Sequence, residues 1–214
     1  MLDGPRLLPA SGGKPTSLVV FLHGYGADGN DLLGLGREWA ATLRGTAFVS
    51  PHAPEPCAGS PLGRQWFPLT MRDPHEFARG VTAAKPAFDR FLDAELMRHG
   101  LDEAACALVG FSQGTMTALH VGPQRPRQLA GIIGYSGLLA DPKGLAATAM
   151  HKPPVLLVHG DCDDVIPVAA IFSAAQGLAA AGLTVEWHIS PGTPHGIGRD
   201  GLNLGLDFLQ RSLR

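Results

Sequence analysis

Three residue types in this sequence could together make an oxygen nucleophile: a serine between glycines, a group of aspartates, and a histidine in a glycine- and proline-rich loop. Gly110-Phe111-Ser112-Gln113-Gly114 follows the apolar run Ala105–Val109 and precedes Thr115–His120. The first flank reads as a buried strand and the second as a helix. A serine on so sharp a strand-to-helix turn is a nucleophile elbow. Glycines two before and two after it have a steric job, because strand and helix approach too closely there for Cβ atoms. The hydroxyl then stands beside a helix N-terminus, whose free N–H groups favour developing negative charge. An ordinary turn or N-cap serine is the plainer reading, and it leaves the flanking strand and helix unexplained. Ser136, in Gly134-Tyr135-Ser136-Gly137-Leu138, is a near match with leucine where the second glycine is needed.

A nucleophilic serine needs a base, and the base needs an orienting acid. Downstream, the apolar run Val155–Val158 opens into His159-Gly160-Asp161-Cys162-Asp163-Asp164-Val165-Ile166-Pro167. Spacing does not choose among Asp161, Asp163 and Asp164, and at least two of them suit helix capping. Only His188 and His195 lie beyond this loop. His188 sits inside a strand pattern and reads as structural. His195 sits in the loop Pro191-Gly192-Thr193-Pro194-His195-Gly196 and reads as the base. His23, His120 and His159 precede the acid loop or open it, and they read as structural. The oxyanion of an acyl-transfer intermediate needs preorganised N–H donors. One is expected from the backbone of Gln113, the residue after the serine. The other is expected from Tyr25, in His23-Gly24-Tyr25-Gly26 after the first buried strand. Phe67, Leu69 and Met71 could supply an apolar wall for an acyl chain, or simply anchor their loop.

The elements that must position these groups alternate. Ser17–Leu22, Thr46–Ser50, Ala105–Val109, Leu129–Tyr135 and Val155–Val158 read as strands, with an edge strand near Leu7-Leu8. Thr184–Ile189 alternates and suits a strand near the sheet edge. Helices are expected after Asn30 or Asp31 as caps, over 76–99 with a kink or break at Pro86, over 168–181 and over 199–212. Residues 51–75 form a long proline-rich loop, of the kind that is usually functional. Strand–helix alternation calls for a mostly parallel central sheet with helices on both faces. Sites in such sheets gather at the carboxyl ends of the strands. The chain reads as a single α/β domain over 1–214, with only Ser136 to Lys152 available as a short cap and no separate lid domain.

Composition removes several classes. A chain of 214 residues with 45% apolar content fits one globular domain. A net charge of −2 offers no basic field, so nucleic acid and anionic membrane are not expected partners. Three cysteines and no signal-peptide pattern suit reduced thiols in a cytoplasm. No apolar run nears the roughly 18 residues of a membrane span. Nine histidines are scattered rather than clustered as zinc sites require, and no metal or cofactor is implied.

Phe21-Leu22-His23-Gly24-Tyr25-Gly26-Ala27-Asp28-Gly29-Asn30-Asp31-Leu32, the Ser112 pentapeptide and the His159–Pro167 block resemble three signature blocks of the phospholipase/carboxylesterase family. Pro194-His195-Gly196 resembles its fourth. The resemblance spans essentially the whole chain and implies an α/β-hydrolase fold. In that family the catalytic aspartate lies four residues after the His of the His-Gly pair, which implies Asp163. It places the oxyanion donors on the backbones of Tyr25 and Gln113, and a tryptophan-bearing acyl-site loop on Arg64-Gln65-Trp66-Phe67. The implied activity is a serine carboxylesterase, and a chain with so little room for a lid leaves an open, shallow site that suits short-to-medium acyl esters, small molecules. The competing enzyme is a thioesterase or lysophospholipase on longer chains. A catalytically dead hydrolase fold used for binding is the alternative of another class, although nucleophile, acid and base are all present. Relatives of this kind are often homodimers, which the resemblance carries over as an expectation.

Overall fold

The structure, a computed structural model, describes residues 2–57, 59–70, 72–73 and 75–213. Along the chain run β1 (Arg6–Leu7), β2 (Ser17–Leu22), α1 (Leu33–Trp39) and β3 (Thr46–Val49). Then come β4 (Glu55–Pro56), β5 (Arg64–Gln65), α2 (Glu76–His99), β6 (Cys106–Phe111) and α3 (Gln113–Val121). The rest is β7 (Gly131–Tyr135), α4 (Pro142–Thr148), β8 (Val155–Gly160), α5 (Ala169–Ala180), β9 (Val185–Ser190) and α6 (Arg199–Ser212). Among the described residues, seven strands form one sheet in the order β1-β3-β2-β6-β7-β8-β9. Every pairing is parallel except that of β1 with β3.

The strand sequences explain why the sheet is buried on both sides. Successive side chains point to opposite faces, and β2 is apolar throughout its last five positions. Leu18, Val20 and Leu22 join the cluster under α2, α3 and α5, while Val19 and Phe21 join the cluster under α1 and α6. Strands β6 and β8 divide in the same way, with Leu108 and Leu157 on one face and Val109 and Val158 on the other. From β2 the chain winds to β3 on one side, and β6 to β9 then build outward on the other. The direction of winding therefore reverses between β2 and β6. There the two segments leaving the strands diverge and open a crevice at the carboxyl edge. The register Leu22↔Gly110 sets the His23–Asp31 loop beside the Ser112 turn.

Three local expectations change. Helix α2 runs unbroken through Pro86. Proline costs one backbone hydrogen bond, but both Pro86 and Thr82, whose carbonyl loses its donor, are exposed to water. The opposite face of α2 buries Val81, Ala84, Phe88, Phe91 and Leu92 and holds the helix to the sheet. Neither Asn30 nor Asp31 caps α1, which starts after Leu32 with no side-chain cap. Asp28 organises that turn instead, accepting from the Asn30 amide at 2.7 Å. The proline-rich loop contains a short antiparallel pair, Glu55↔Gln65 and Pro56↔Arg64. No helix among the described residues is long and apolar enough to cross a membrane.

Candidate active site

Ser112 joins β6 to α3 with φ 53° and ψ −116°, a conformation L-residues avoid. The flanking glycines make that turn sterically possible. A Cβ on Gly110 would lie 2.5 Å from the Thr115 amide nitrogen, and one on Gly114 would lie 1.9 Å from the Leu22 carbonyl oxygen. The Ser112 amide donates to the Tyr135 carbonyl at 2.9 Å, tying the turn to the end of β7.

Two further strand ends bring the other groups. Asp163 follows β8, His195 follows β9, and the structure brings both to Ser112. His195 Nδ1 is 2.8 Å from Asp163 Oδ2, and His195 Nε2 is 3.1 Å from Ser112 Oγ. A carboxylate accepts, so the Nδ1 position carries the proton and Nε2 is left as the acceptor for the serine hydroxyl. Phe111 packs against the imidazole with ring centroids 5.0 Å apart.

Asp163 is buried and fully partnered. Its Oδ1 accepts from the amides of Val165 at 2.9 Å and Ile166 at 2.8 Å, and His159 Nε2 lies 3.1 Å from Oδ2. Burial pushes this carboxyl up, but the hydrogen bonds from His195 and from the Ile166 and Val165 amides outweigh it and hold it below the usual carboxylate range. Asp161 and Asp164 are exposed, and the carboxylate hydrogen-bonded to His195 is that of Asp163. His188 pairs with Asp200 at 2.7 Å. Among the described residues, Ser136 shares with Ser112 a positive φ outside glycine, at 46°. No helix follows it; its hydroxyl donates to the Gly196 carbonyl at 2.9 Å and pins the loop that carries His195.

Tyr25 and Gln113 border the same cavity as Ser112 and His195. Among the described residues, neither backbone amide has a protein acceptor. For Gln113 this follows from its place in the first turn of α3, where N–H groups have no intrahelical partner. Gly24 lets the loop lie against the residue before the serine, since a Cβ there would sit 3.0 Å from the Phe111 ring.

The cavity is about 370 Å³ and its lining is almost wholly apolar: Leu69, Phe77, Met116, Leu138, Val165, Ile166 and Pro167 beside the residues already named. Leu69 is therefore in the wall, as its loop position suggested. Trp66 and Phe67 are not. Both are about 1% exposed and packed inward against α2, where Gly80 leaves room for the Phe67 ring. Met71 lies outside the described residues. Sequence reasoning passed over Met116, although it stands one helical turn from Ser112 and so shares its face. Val165, Ile166 and Pro167 directly follow the acid and had the same positional signal. Phe77 reads from periodicity as a core residue of α2, and Leu138 carries no local signal. Among the described residues, no group of three His, Cys, Asp or Glu side chains could hold a metal ion.

Comparison with known proteins adds a family. The family model described as Phospholipase/Carboxylesterase matches residues 8–213. Esterase YpfH of Escherichia coli (strain K12) is 30% identical over 202 residues, covering 94% of this chain and 85% of that protein. Acyl-protein thioesterase 1 of Gibberella zeae is 26% identical over 226 residues, covering 98% and 95%. Among solved structures, esterase PE8 superposes with a TM-score of 0.95 at 44% identity, covering 99% of both chains.

Proposed function

The chain belongs to the phospholipase/carboxylesterase family, and from that premise we propose that it is a serine carboxylesterase hydrolysing short-to-medium acyl esters, its residues 1–214 acting as one α/β-hydrolase domain. The observation that carries the proposal is the continuous hydrogen-bond chain Asp163–His195–Ser112 at 2.8 and 3.1 Å. His195 Nε2 takes the Ser112 hydroxyl proton as Oγ attacks the ester carbonyl carbon. The carbonyl oxygen becomes an oxyanion held by the amides of Tyr25 and Gln113. His195 then gives its proton to the departing alkoxide, the ester C–O bond breaks, and the acyl group stays on Ser112. A water molecule, deprotonated by the same nitrogen, attacks the acyl carbon. Collapse of the second intermediate returns the proton to Oγ and releases the carboxylic acid. Throughout, Asp163 holds the imidazole in its tautomer and stabilises its charged form.

The apolar cavity accepts the acyl chain, and its Leu69, Met116 and Leu138 side chains offer no partner to a charged group. That lining, with the similarity to acyl-protein thioesterase 1, also favours a second reading: thioester or lysophospholipid hydrolysis on longer chains. The proposal includes a reducing, cytoplasmic setting, supported by Cys57, Cys106 and Cys162 standing as free thiols. The test is Ser112→Ala assayed on p-nitrophenyl butyrate with fluorophosphonate labelling of the wild type. The proposal expects loss of several orders of magnitude in kcat and a label on Ser112. Wild-type turnover by the variant refutes it.

A further inference from the structure

The two amides assigned to the oxyanion come from separate parts of the chain, the loop after β2 and the first turn of α3. Nothing in either segment alone fixes their separation. One residue is hydrogen-bonded to both segments. The Trp66 indole Nε1–H donates to the His23 carbonyl at 2.9 Å, two residues before Tyr25. The Trp66 backbone N–H donates to Gln113 Oε1 at 2.8 Å, and Gln113 Nε2 returns a bond to the Phe67 carbonyl at 2.8 Å. The Gln113 carboxamide thus accepts from the Trp66 amide and donates to the Phe67 carbonyl across a bend in the chain. Its own amide is held from behind.

The anchor is itself held rigidly. Trp66 is 1% exposed, with its ring 5.6 Å from that of His23 and edge-on to Phe88 at 5.7 Å. His23 is fixed in turn, accepting at Nε2 from the Ala53 amide at 3.0 Å and so donating from Nδ1 to the Gly24 carbonyl at 2.8 Å. These bonds are buried, where a polar group that loses its partner is costly and the geometry is correspondingly well determined.

We propose that Trp66 is a positioning residue of the oxyanion hole: its indole and backbone N–H groups hold the Tyr25 loop and Gln113 at the spacing the two amides need. The proposal rests on the serine-esterase reading above. Trp66 touches neither substrate nor reacting atom, so it acts through the donors and its effect falls on the transition state. Ground-state binding in the apolar cavity, to which Trp66 contributes no surface, is untouched.

The experiment compares Trp66→Phe with wild type for three quantities: KM and kcat on p-nitrophenyl butyrate, and the inhibition constant of butylboronic acid, whose tetrahedral adduct with Ser112 places an oxygen in the hole. Removing a whole oxyanion donor typically costs about 10²–10³-fold, so misplacing one should lower kcat by roughly 10- to 100-fold. KM should stay within about twofold, and boronate affinity should fall by the same factor as kcat. Unchanged kcat and unchanged boronate affinity would overturn the proposal. Should Trp66→Phe fold poorly, benzothienylalanine at position 66 keeps the ring shape and removes only the N–H, and must give the same signature. Phe88→Leu loosens the packing of the indole while leaving its N–H. It should lower Tm and leave boronate affinity at the wild-type value. If it weakens the boronate as much as Trp66→Phe does, packing is the cause and the proposal fails. Fluorophosphonate labelling of the wild type separates the premises: no label on Ser112 removes the esterase reading and this inference with it, whereas full labelling with an indifferent Trp66→Phe removes this inference alone.

Discussion

Replacing Gly114 by alanine sets two effects against each other whose sizes can be compared. Gly114 lies in the first turn of α3, and a helical glycine replaced by alanine usually gains up to about 1 kcal/mol from propensity alone. A view confined to the helix therefore predicts a more stable protein. The new methyl group, however, would sit 1.9 Å from the Leu22 carbonyl oxygen and 2.8 Å from that of His23. Both are backbone atoms at the end of a fully buried strand, so no flexible side chain can yield. The gap between α3 and β2 must open by about 1 Å, and overpacking of this kind costs about 1–3 kcal/mol. The clash outweighs the propensity gain, and Tm falls. Chemistry suffers more than stability, because the same displacement carries the Gln113 amide away from the Tyr25 amide. A misplacement of about 1 Å can cost about 100-fold in rate. The assay is kcat on p-nitrophenyl butyrate beside a thermal melt. Gly34→Ala is the control: Gly34 is an exposed position of α1 where a Cβ would meet nothing within 4 Å, so stability should rise slightly and kcat hold. A Gly114→Ala protein as stable as wild type, with kcat within about twofold, would refute the reasoning.

Asp163→Asn should lower kcat by about 10⁴-fold, since an amide no longer enforces the tautomer that leaves Nε2 free to accept. Because the folded Asp163 carboxyl lies below its ordinary range, the stability it contributes is present above that range and is lost as pH falls through the depressed folded value. Urea midpoints measured from about pH 5 to pH 2 should therefore fall less steeply in Asp163→Asn than in wild type. Arg125 is 2% exposed and bonded to Asp89 at 2.8 Å, to Glu103 at 3.1 Å and to Asp93. Arg125→Met strands those carboxylates and should cost about 3 kcal/mol in urea unfolding, the low end for a broken buried pair because Asp93 reaches water. Across a p-nitrophenyl ester series, kcat/KM should rise by up to about fourfold per methylene, the equivalent of about 0.8 kcal/mol of burial, until the cavity is filled. Leu69→Trp should move the optimum to shorter chains, and a wild-type optimum beyond about C10 favours the longer-chain reading.

The sheet was legible because its strands are short apolar runs stopped by Gly, Pro or Asx, and because strand–helix alternation leaves few topologies. Ser112 was legible for a related reason: a glycine two places either side reports a steric requirement, since a Cβ at either position would lie 2.5 or 1.9 Å from backbone atoms. The acid was not. Asp161, Asp163 and Asp164 are equivalent in composition, and what distinguishes Asp163 is a turn that aims the Val165 and Ile166 amides at its carboxylate. Family resemblance, rather than spacing, separated them. Trp66 and Phe67 misled for the opposite reason. Their loop borders the cavity, but a sequence does not record which side of a loop faces inward, and large rings gain most from full burial. At Pro86 the break did not follow, because the freed Thr82 carbonyl reaches water and the opposite face of α2 is held to the sheet.

Ser112, Asp163 and His195 stand where the polypeptide exits a strand, and the returning connections, such as the one through Gly182 between α5 and β9, cross at the far side of the sheet. Wear on that far side is invisible to turnover. Attachment to a resin, a fluorophore or a fused partner belongs on those returning connections, a full strand length from the reacting atoms.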